Sequence, residues 1–496
     1  MHKYKLRRKN MGKNIKELGQ VFTPSYIVEE LLNFCNYNLL MYNNQILRKH
    51  IIDNSCGEGG ILCEIVERYC TIYFYAVNDD KEALKNELET YIHGIDIDKN
   101  AIEKCIFNLN KVVEKYNIFN GNWDIFQGDS LKETRFNGKM DYVIGNPPYI
   151  RTHNLKENYE SVKNFEFSKK GMSDMYIVFF EIGIKMLNNS GKLCYITPSS
   201  WVTSKSGELL REYFKSTNIL EGIIDFKHHK VFKKCNTYSM ITYLDKSSRN
   251  LPGFKYYHYN EENGDIEYID ILNCNEIEID GGFYFNTKTN INKLKEIKND
   301  VSEKTFFVKN GIATLLDKVF INNEIPFNEY TRQCLKASTG QWKKCFFPYH
   351  NDGTAINPEI IHSKEEVISY LTPFKASLTK RKVDKGILDY FYFGRQQGLK
   401  ETGIERLAIN NIIKDKDSLK INILPKGTTI YSGLYIYSNN VDLNIAKEIL
   451  ETDDFIDYIK SLNKYKSGGY YTFNTKDVEN YLNYNYAKRY KNNKSC

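Results

Sequence analysis

Apolar residues in the first half of this chain come in short continuous runs, each stopping on a polar or acidic residue. Ile51-Ile52 stops at Asp53-Asn54-Ser55, Tyr91 to Ile95 at Asp96, and Ile125-Phe126 at Gln127-Gly128-Asp129-Ser130. Tyr142-Val143-Ile144 stops at Gly145-Asn146-Pro147-Pro148-Tyr149. Runs of this length, bounded by turn residues, predict strands buried on both faces. Between them Leu62, Ile65, Val66 and Tyr69 recur at helical spacing, as do Ala101, Ile102, Cys105, Ile106 and Leu109, and residues 71–90 form an acidic helical excursion. Upstream, Thr23 as N-cap and Pro24 at the first helical position open a helix with Ile27, Val28, Leu31, Leu32 and Cys35 on one face. Downstream, Ser173 to Leu187 is apolar all round and predicts a buried helix, stopped by Gly191. A strand over Leu193 to Ile196 ends at Thr197-Pro198, and a helix carries Leu209, Leu210, Tyr213 and Phe214. Strands at 219–226 and 238–244 flank His228-His229-Lys230-Val231-Phe232. The alternation predicts an α/β fold, a doubly wound Rossmann-like sheet with antiparallel strands at its end.

Open sheets of this kind take their ligands at the carboxyl ends of the strands, so the residues that stop each run carry the candidate chemistry. Asp53 can accept a cationic amine. The turn Cys56-Gly57-Glu58-Gly59-Gly60 lets backbone approach a bound molecule, and no Gly-Lys-Ser/Thr follows to make it a phosphate loop. Asp96 stands where ribose hydroxyls are gripped, and Asp129 where an adenine amino group is accepted. Asn146-Pro147-Pro148 removes two backbone donors and fixes two φ angles, giving a rigid turn. That turn presents an amide, a carbonyl and the ring of Tyr149, which together suit a planar nitrogen donor.

The 496 residues leave room for two or three domains. No run of about 18 apolar residues suggests a membrane span, and the basic arm 1–17 lacks the apolar core of a signal peptide. The eleven cysteines include no Cys-x-x-Cys pair and no zinc spacing, so no metal is expected, and they read as reduced thiols of a cytoplasmic protein. A net charge of +7, with 38 Tyr and 28 Phe among the lysines, permits a partner whose phosphates are neutralised and whose bases are stacked.

In order and content these motifs resemble the gamma-class DNA adenine-N6 methyltransferases, the TaqI-like type II modification methylases. The likeness covers about residues 18–245, within a catalytic domain expected over 18–248, and runs from Phe22-Thr23-Pro24 through the glycine turn, acidic strand end, Gly128-Asp129 and Asn146 to Tyr149, ending with Val231-Phe232. It implies S-adenosylmethionine as cofactor: Thr23, Asp53, Cys56, Gly57 and Gly59 hold its methionine end, Asp96 its ribose, and Ile97, Asp129 and Ser130 its adenine. Ser130 departs from the apolar residue often found there. Asn146 and the Pro147 carbonyl bind the target amino group, with Tyr149 and Phe232 stacking on the flipped base. The implied partners are double-stranded DNA and a cognate restriction endonuclease, with no membrane and no metal required. Residues 249–496 are expected to form a mixed α+β target-recognition domain, with Gly311 to Thr314 and Ser467 to Tyr470 as landmarks. Arg395 and Gln396 would read bases there, because Arg pairs with guanine and Gln with adenine, while Pro148 contacts DNA from the catalytic turn. Lys380-Arg381-Lys382 reads as a solvated face or a phosphate contact. A protein-glutamine methyltransferase of the release-factor type is the rival reading, since it presents the same four residues to a planar amide.

Overall fold

Consecutive residues in the central strands feed opposite cores, and this alternation builds the layers. Ile51 and Ile144 pack into one cluster with Ile27, Leu31, Leu62 and Leu109. Their neighbours Ile52 and Val143 pack into the other, with Phe180, Trp201 and Phe214. A sheet apolar on both faces must be covered on both. The computed structural model describes residues 22–38, 44–77, 79–150, 162–172, 174–232, 237–247, 253–300, 303–387 and 389–491. The basic arm therefore lies outside the described residues.

Among the described residues nine strands form this sheet: β1 (Ile51–Asp53), β2 (Ile92–Asp96), β3 (Asp124–Gln127), β4 (Met140–Gly145), β5 (Leu187–Pro198), β6 (Leu220–Asp225), β7 (Ser239–Asp245), β8 (Phe254–Tyr259) and β9 (Ile266–Leu272). Their order is β3-β2-β1-β4-β5-β7-β6-β8-β9. The first five neighbours pair in parallel, whereas β7 runs antiparallel to both β5 and β6. Helices α1 (Ser25–Phe34), α2 (Gly60–Ala76), α3 (Lys81–Tyr91) and α4 (Lys99–Glu114) precede the central turn, and α5 (Met175–Met186) and α6 (Glu208–Thr217) follow it. The doubly wound Rossmann-like fold with an antiparallel end is thus as the pattern predicts.

Three expectations are corrected. The chain divides into compact units between Ile291 and Asn292, not at 248/249, because β8 and β9 extend the same sheet, β8 pairing in parallel with β6. Gly191 does not stop α5: the chain passes directly into β5 at Leu187. Gly191 lies within β5, where a Cβ would come 2.6 Å from the Met140 carbonyl oxygen, beside the register shift in the β4–β5 pairing. Thr23 does not cap α1. That position belongs to Pro24, whose carbonyl accepts the amides of Ile27 and Val28.

The second unit is mixed α+β. It holds a four-stranded sheet, two three-stranded sheets and helices at Leu443–Leu450, Asp453–Ser461 and Thr475–Tyr486. Ser467 to Gly469 turns a hairpin between Tyr465–Lys466 and Tyr470–Thr472; Gly468 and Gly469 both take positive φ there, as a tight hairpin turn requires.

Gly183 lets α5 approach the sheet. A Cβ at this buried position would meet the Tyr195 hydroxyl at 2.5 Å and a Leu193 methyl at 2.6 Å, and the same hydroxyl donates to Asn54 Oδ1 at 2.9 Å. Helix propensity favours alanine by about 1 kcal/mol, whereas overpacking costs about 1–3 kcal/mol. Gly183→Ala is therefore expected to destabilise the protein by roughly 1 kcal/mol in urea unfolding, and a stabilised variant would contradict this packing.

Candidate active site

The carboxyl ends of β1, β2 and β4 meet at one edge, held together by close backbone approach. Gly145 ends β4 against Asp53, where a Cβ would stand 3.0 Å from Asp53 Oδ1 and 3.3 Å from the Tyr195 ring. Asp53 is 2% exposed, and Oδ1 accepts the Ser55 amide at 3.0 Å. Burial raises its pKa to about 7, the Ser55 amide lowers it and Asp96 raises it further. Ser55 Oγ donates to the Asn146 carbonyl at 3.3 Å, tying the glycine turn to the proline turn.

Asp96 is fixed through both oxygens: Oδ2 accepts the Gly57 amide at 2.8 Å and Oδ1 the Asp98 amide at 2.9 Å. Gly57 has φ of +53° with open space where a Cβ would project. Gly59, with φ of +85°, caps α2 and packs against Cys105. Cys56 turns its thiol inward onto Cys105. That hydrogen bond, with burial, holds the thiol well above its ordinary pKa and neutral. Ile97, one residue past Asp96, is 47% exposed, an apolar side chain presented to solvent beside two fixed carboxylates. Asp129 Oδ1 accepts the Leu131 amide at 3.1 Å, and Lys132 Nζ stands 3.5 Å from Oδ2. Ser130 is buried and donates to the Asn54 carbonyl at 2.6 Å, so its hydroxyl joins two strand-end loops.

At the proline turn, Asn146 Nδ2 donates to Thr23 Oγ1 at 3.1 Å. The threonine that was expected to cap α1 instead orients the amide, turning its acceptor oxygen away from Thr23. Tyr149 donates its hydroxyl to the Ile196 carbonyl at 3.2 Å. Its ring meets Phe232 edge-to-face, with centroids 5.7 Å apart and an interplanar angle of 76°. The two aromatics are together as expected, but they touch each other, and Phe232 is only 3% exposed. Pro147 is buried and Pro148 half-buried. The sequence reading missed Asn54, Ser55 and Tyr195, although the polar run Asp53-Asn54-Ser55 after a buried strand was the available signal.

In the second unit, the segment carrying Arg395 and Gln396 docks on Gly311 to Thr314. Gly394 and Arg395 amides donate to the Thr314 and Ala313 carbonyls, and Gln397 Nε2 to Gly311. Arg395 Nη1 donates to Asp384 Oδ1 at 3.0 Å and to the Lys382 carbonyl at 2.7 Å, and the exposed Gln396 donates its amide to Asp384 Oδ2. Lys380 and Lys382 are exposed, as a solvated face would be, whereas Arg381 is half-buried and turned to backbone. Its guanidinium donates to the Thr314, Tyr390 and Tyr392 carbonyls and lies over the Phe320 ring.

Among the described residues no group of three or more His, Cys, Asp or Glu could hold a metal ion, and no helix is long and apolar enough to cross a membrane.

Strand order, glycine turn and strand-end acids define the class: this is a doubly wound, Rossmann-like α/β fold. More particularly, residues 72–232 match the family model of the Eco57I restriction-modification methylase. The type II restriction enzyme and methyltransferase RM.Eco57I of Escherichia coli is 23% identical over 548 residues, 89% of this chain and 54% of the relative. The modification methylase CviBIII of Paramecium bursaria Chlorella virus NC1A is 26% identical over 364 residues, 69% of this chain and 81% of the relative. Among solved structures, that of the Type IIL restriction-modification enzyme MmeI in complex with DNA has a TM-score of 0.62 at 13% identity, covering 95% of this chain and 67% of that one. The chain spans about half the length of the first of these relatives. By name these relatives are a type II restriction enzyme and methyltransferase and a modification methylase, and neither is named a protein-glutamine methyltransferase.

Asp53 has a consequence for stability. With its folded pKa raised from 3.8 to about 7, the native protein holds a proton that the unfolded chain releases. Stability from this site is full below pH 4 and is lost as pH rises through 7. Asp53→Asn is therefore expected to be more stable than wild type at pH 8, by up to a few kcal/mol. The gap in urea unfolding should narrow as pH falls through 7 toward 5 and close only below pH 4, and a pH-independent gap would contradict the burial argument.

Proposed function

We propose that this chain is a DNA methyltransferase that moves a methyl group from S-adenosylmethionine to the exocyclic amino nitrogen of a flipped-out adenine, in a cytoplasmic restriction-modification setting. The observation that carries it is the Asn146 amide, fixed by Thr23 on the proline turn of the central strand, beside the edge that carries Asp53 and Asp96.

The residues fit the cofactor. Gly57 leaves an open cradle, Asp53 is a buried acceptor for an ammonium group, Asp96 an anchored acceptor for ribose hydroxyls, and Ile97 an exposed apolar surface for a purine. Asp129 would accept from the adenine edge, while Cys56, Gly59 and Ser130 shape the loops around it. The bound sulfonium supplies an activated methyl group, so the protein's work is position and polarisation. Adenine's amino lone pair is delocalised into the ring. Asn146 and the Pro147 carbonyl draw its two hydrogens out of plane and stabilise the positive charge that develops on nitrogen. Tyr149 and Phe232 hold the extruded base, with Pro148 against the DNA, and the second unit reads the sequence, with Arg395 and Gln396 as candidate base contacts. A cognate endonuclease is the expected partner.

The test is sequencing that reports modified adenines in DNA from cells expressing the chain. Wild type should mark adenine at one recurring sequence and Asn146→Ala should mark none; persistent marking by the variant, or marked cytosines, would refute the assignment. An ammonium group favours ionised Asp53, so cofactor affinity should rise with pH through about 7. Titration calorimetry should show that slope in wild type and its loss in Asp53→Asn.

A further inference from the structure

Helix α1 reaches both halves of the site. Thr23, just ahead of it, accepts from Asn146 Nδ2, and Tyr26, in its first turn, bonds through its hydroxyl to His229 Nε2 at 3.0 Å. His229 lies three residues before Phe232, which touches Tyr149, itself three residues beyond Asn146. Side-chain contacts and short stretches of chain thus close a ring through Thr23, Asn146, Tyr149, Phe232, His229 and Tyr26.

His229 is held firmly enough to transmit position. Its amide donates to the Phe226 carbonyl at 2.8 Å. Its ring lies 4.6 Å from that of Tyr259 and 6.4 Å from that of Phe226, and Nδ1 stands 3.4 Å from Glu261 Oε1. A proton on Nδ1 facing Glu261 leaves Nε2 to accept from Tyr26. A lone Tyr–His bond on a half-exposed loop would ordinarily only steady that loop. Here each partner is three residues from a residue of the proposed site, and Phe232 is in ring contact with Tyr149, where the base would enter.

We infer that the Tyr26–His229 bond is a positioning device that couples the cofactor end of the site to the base clamp. Occupancy beside Thr23 and opening at Phe232 thereby become energetically linked and, as linkage requires, reciprocally so. This rests on the methyltransferase reading above. Neither residue touches reacting atoms.

The experiment measures S-adenosylhomocysteine affinity of the full chain, alone and with a duplex carrying the sequence found methylated. Wild type should show a coupling factor different from one. Tyr26→Phe and His229→Ala should each move it toward one by roughly two- to tenfold, the range of a single neutral hydrogen bond, and the double variant should do no more than either. His229→Gln, which keeps an acceptor near Nε2, should restore it, a rescue that loss of folding would not show. A wild-type factor of one, an unchanged factor in Tyr26→Phe, or losses that add in the double variant would overturn the inference. If Asn146→Ala abolishes transfer while Tyr26→Phe keeps the coupling, only this inference falls; if wild type methylates no DNA, the function reading falls with it.

Discussion

The site depends on one close approach, between the carboxylate of Asp53 and the backbone of Gly145. With no side chain at Gly145 the ends of β1 and β4 draw together until Asp53 Oδ1 would crowd any Cβ there. That proximity lets Ser55 reach the Asn146 carbonyl and Tyr195 reach Asn54. The glycine turn and the proline turn are consequently one rigid edge. The cost is a carboxylate with almost no water, which answers by holding its proton. Asp53 is therefore poised near neutrality, ready to ionise when a cation arrives.

The same economy governs Thr23. A threonine before a proline and a helical stripe reads as an N-cap, because local hydrogen bonding is all that a sequence displays. In the folded chain Pro24 takes the cap position, and the hydroxyl goes to a partner 123 residues away. A contact of that range leaves no trace in periodicity. Its effect is to choose which end of the Asn146 amide faces Thr23, and so to present the acceptor oxygen elsewhere.

What was legible follows from this. Strands and helices of the first unit were readable because burial on both faces writes itself as apolar runs ending at acids. The edge at which the candidate residues gather was readable because the sheet collects strand ends on one side. Gly191 misled because a glycine after a helical stripe has two meanings, a helix stop or a close backbone approach, and only the β4–β5 register separates them. The unit boundary was illegible for a similar reason: β8 and β9 add to the sheet by pairing on β6, and nothing in their composition says which sheet they join. Arg381 shows the same limit in the second unit. Flanked by two lysines it reads as surface charge, yet its donors hold three carbonyls together.

On the methyltransferase reading, the edge-to-face contact of Tyr149 and Phe232 sets the terms on which a base enters. Parting the rings gives up about 0.5–1.5 kcal/mol, and extruding a base costs a few kcal/mol more. Stacking on two rings returns about 1–3 kcal/mol each. These terms nearly cancel, so aromatic contact alone would hold any base weakly and without preference. The balance is tipped by what only a base with an exocyclic amino group adds, two hydrogens donated to Asn146 and to the Pro147 carbonyl. Selection and activation then use the same two acceptors: a base lacking that amino group is neither retained nor polarised, and the clamp returns to the closed contact seen here.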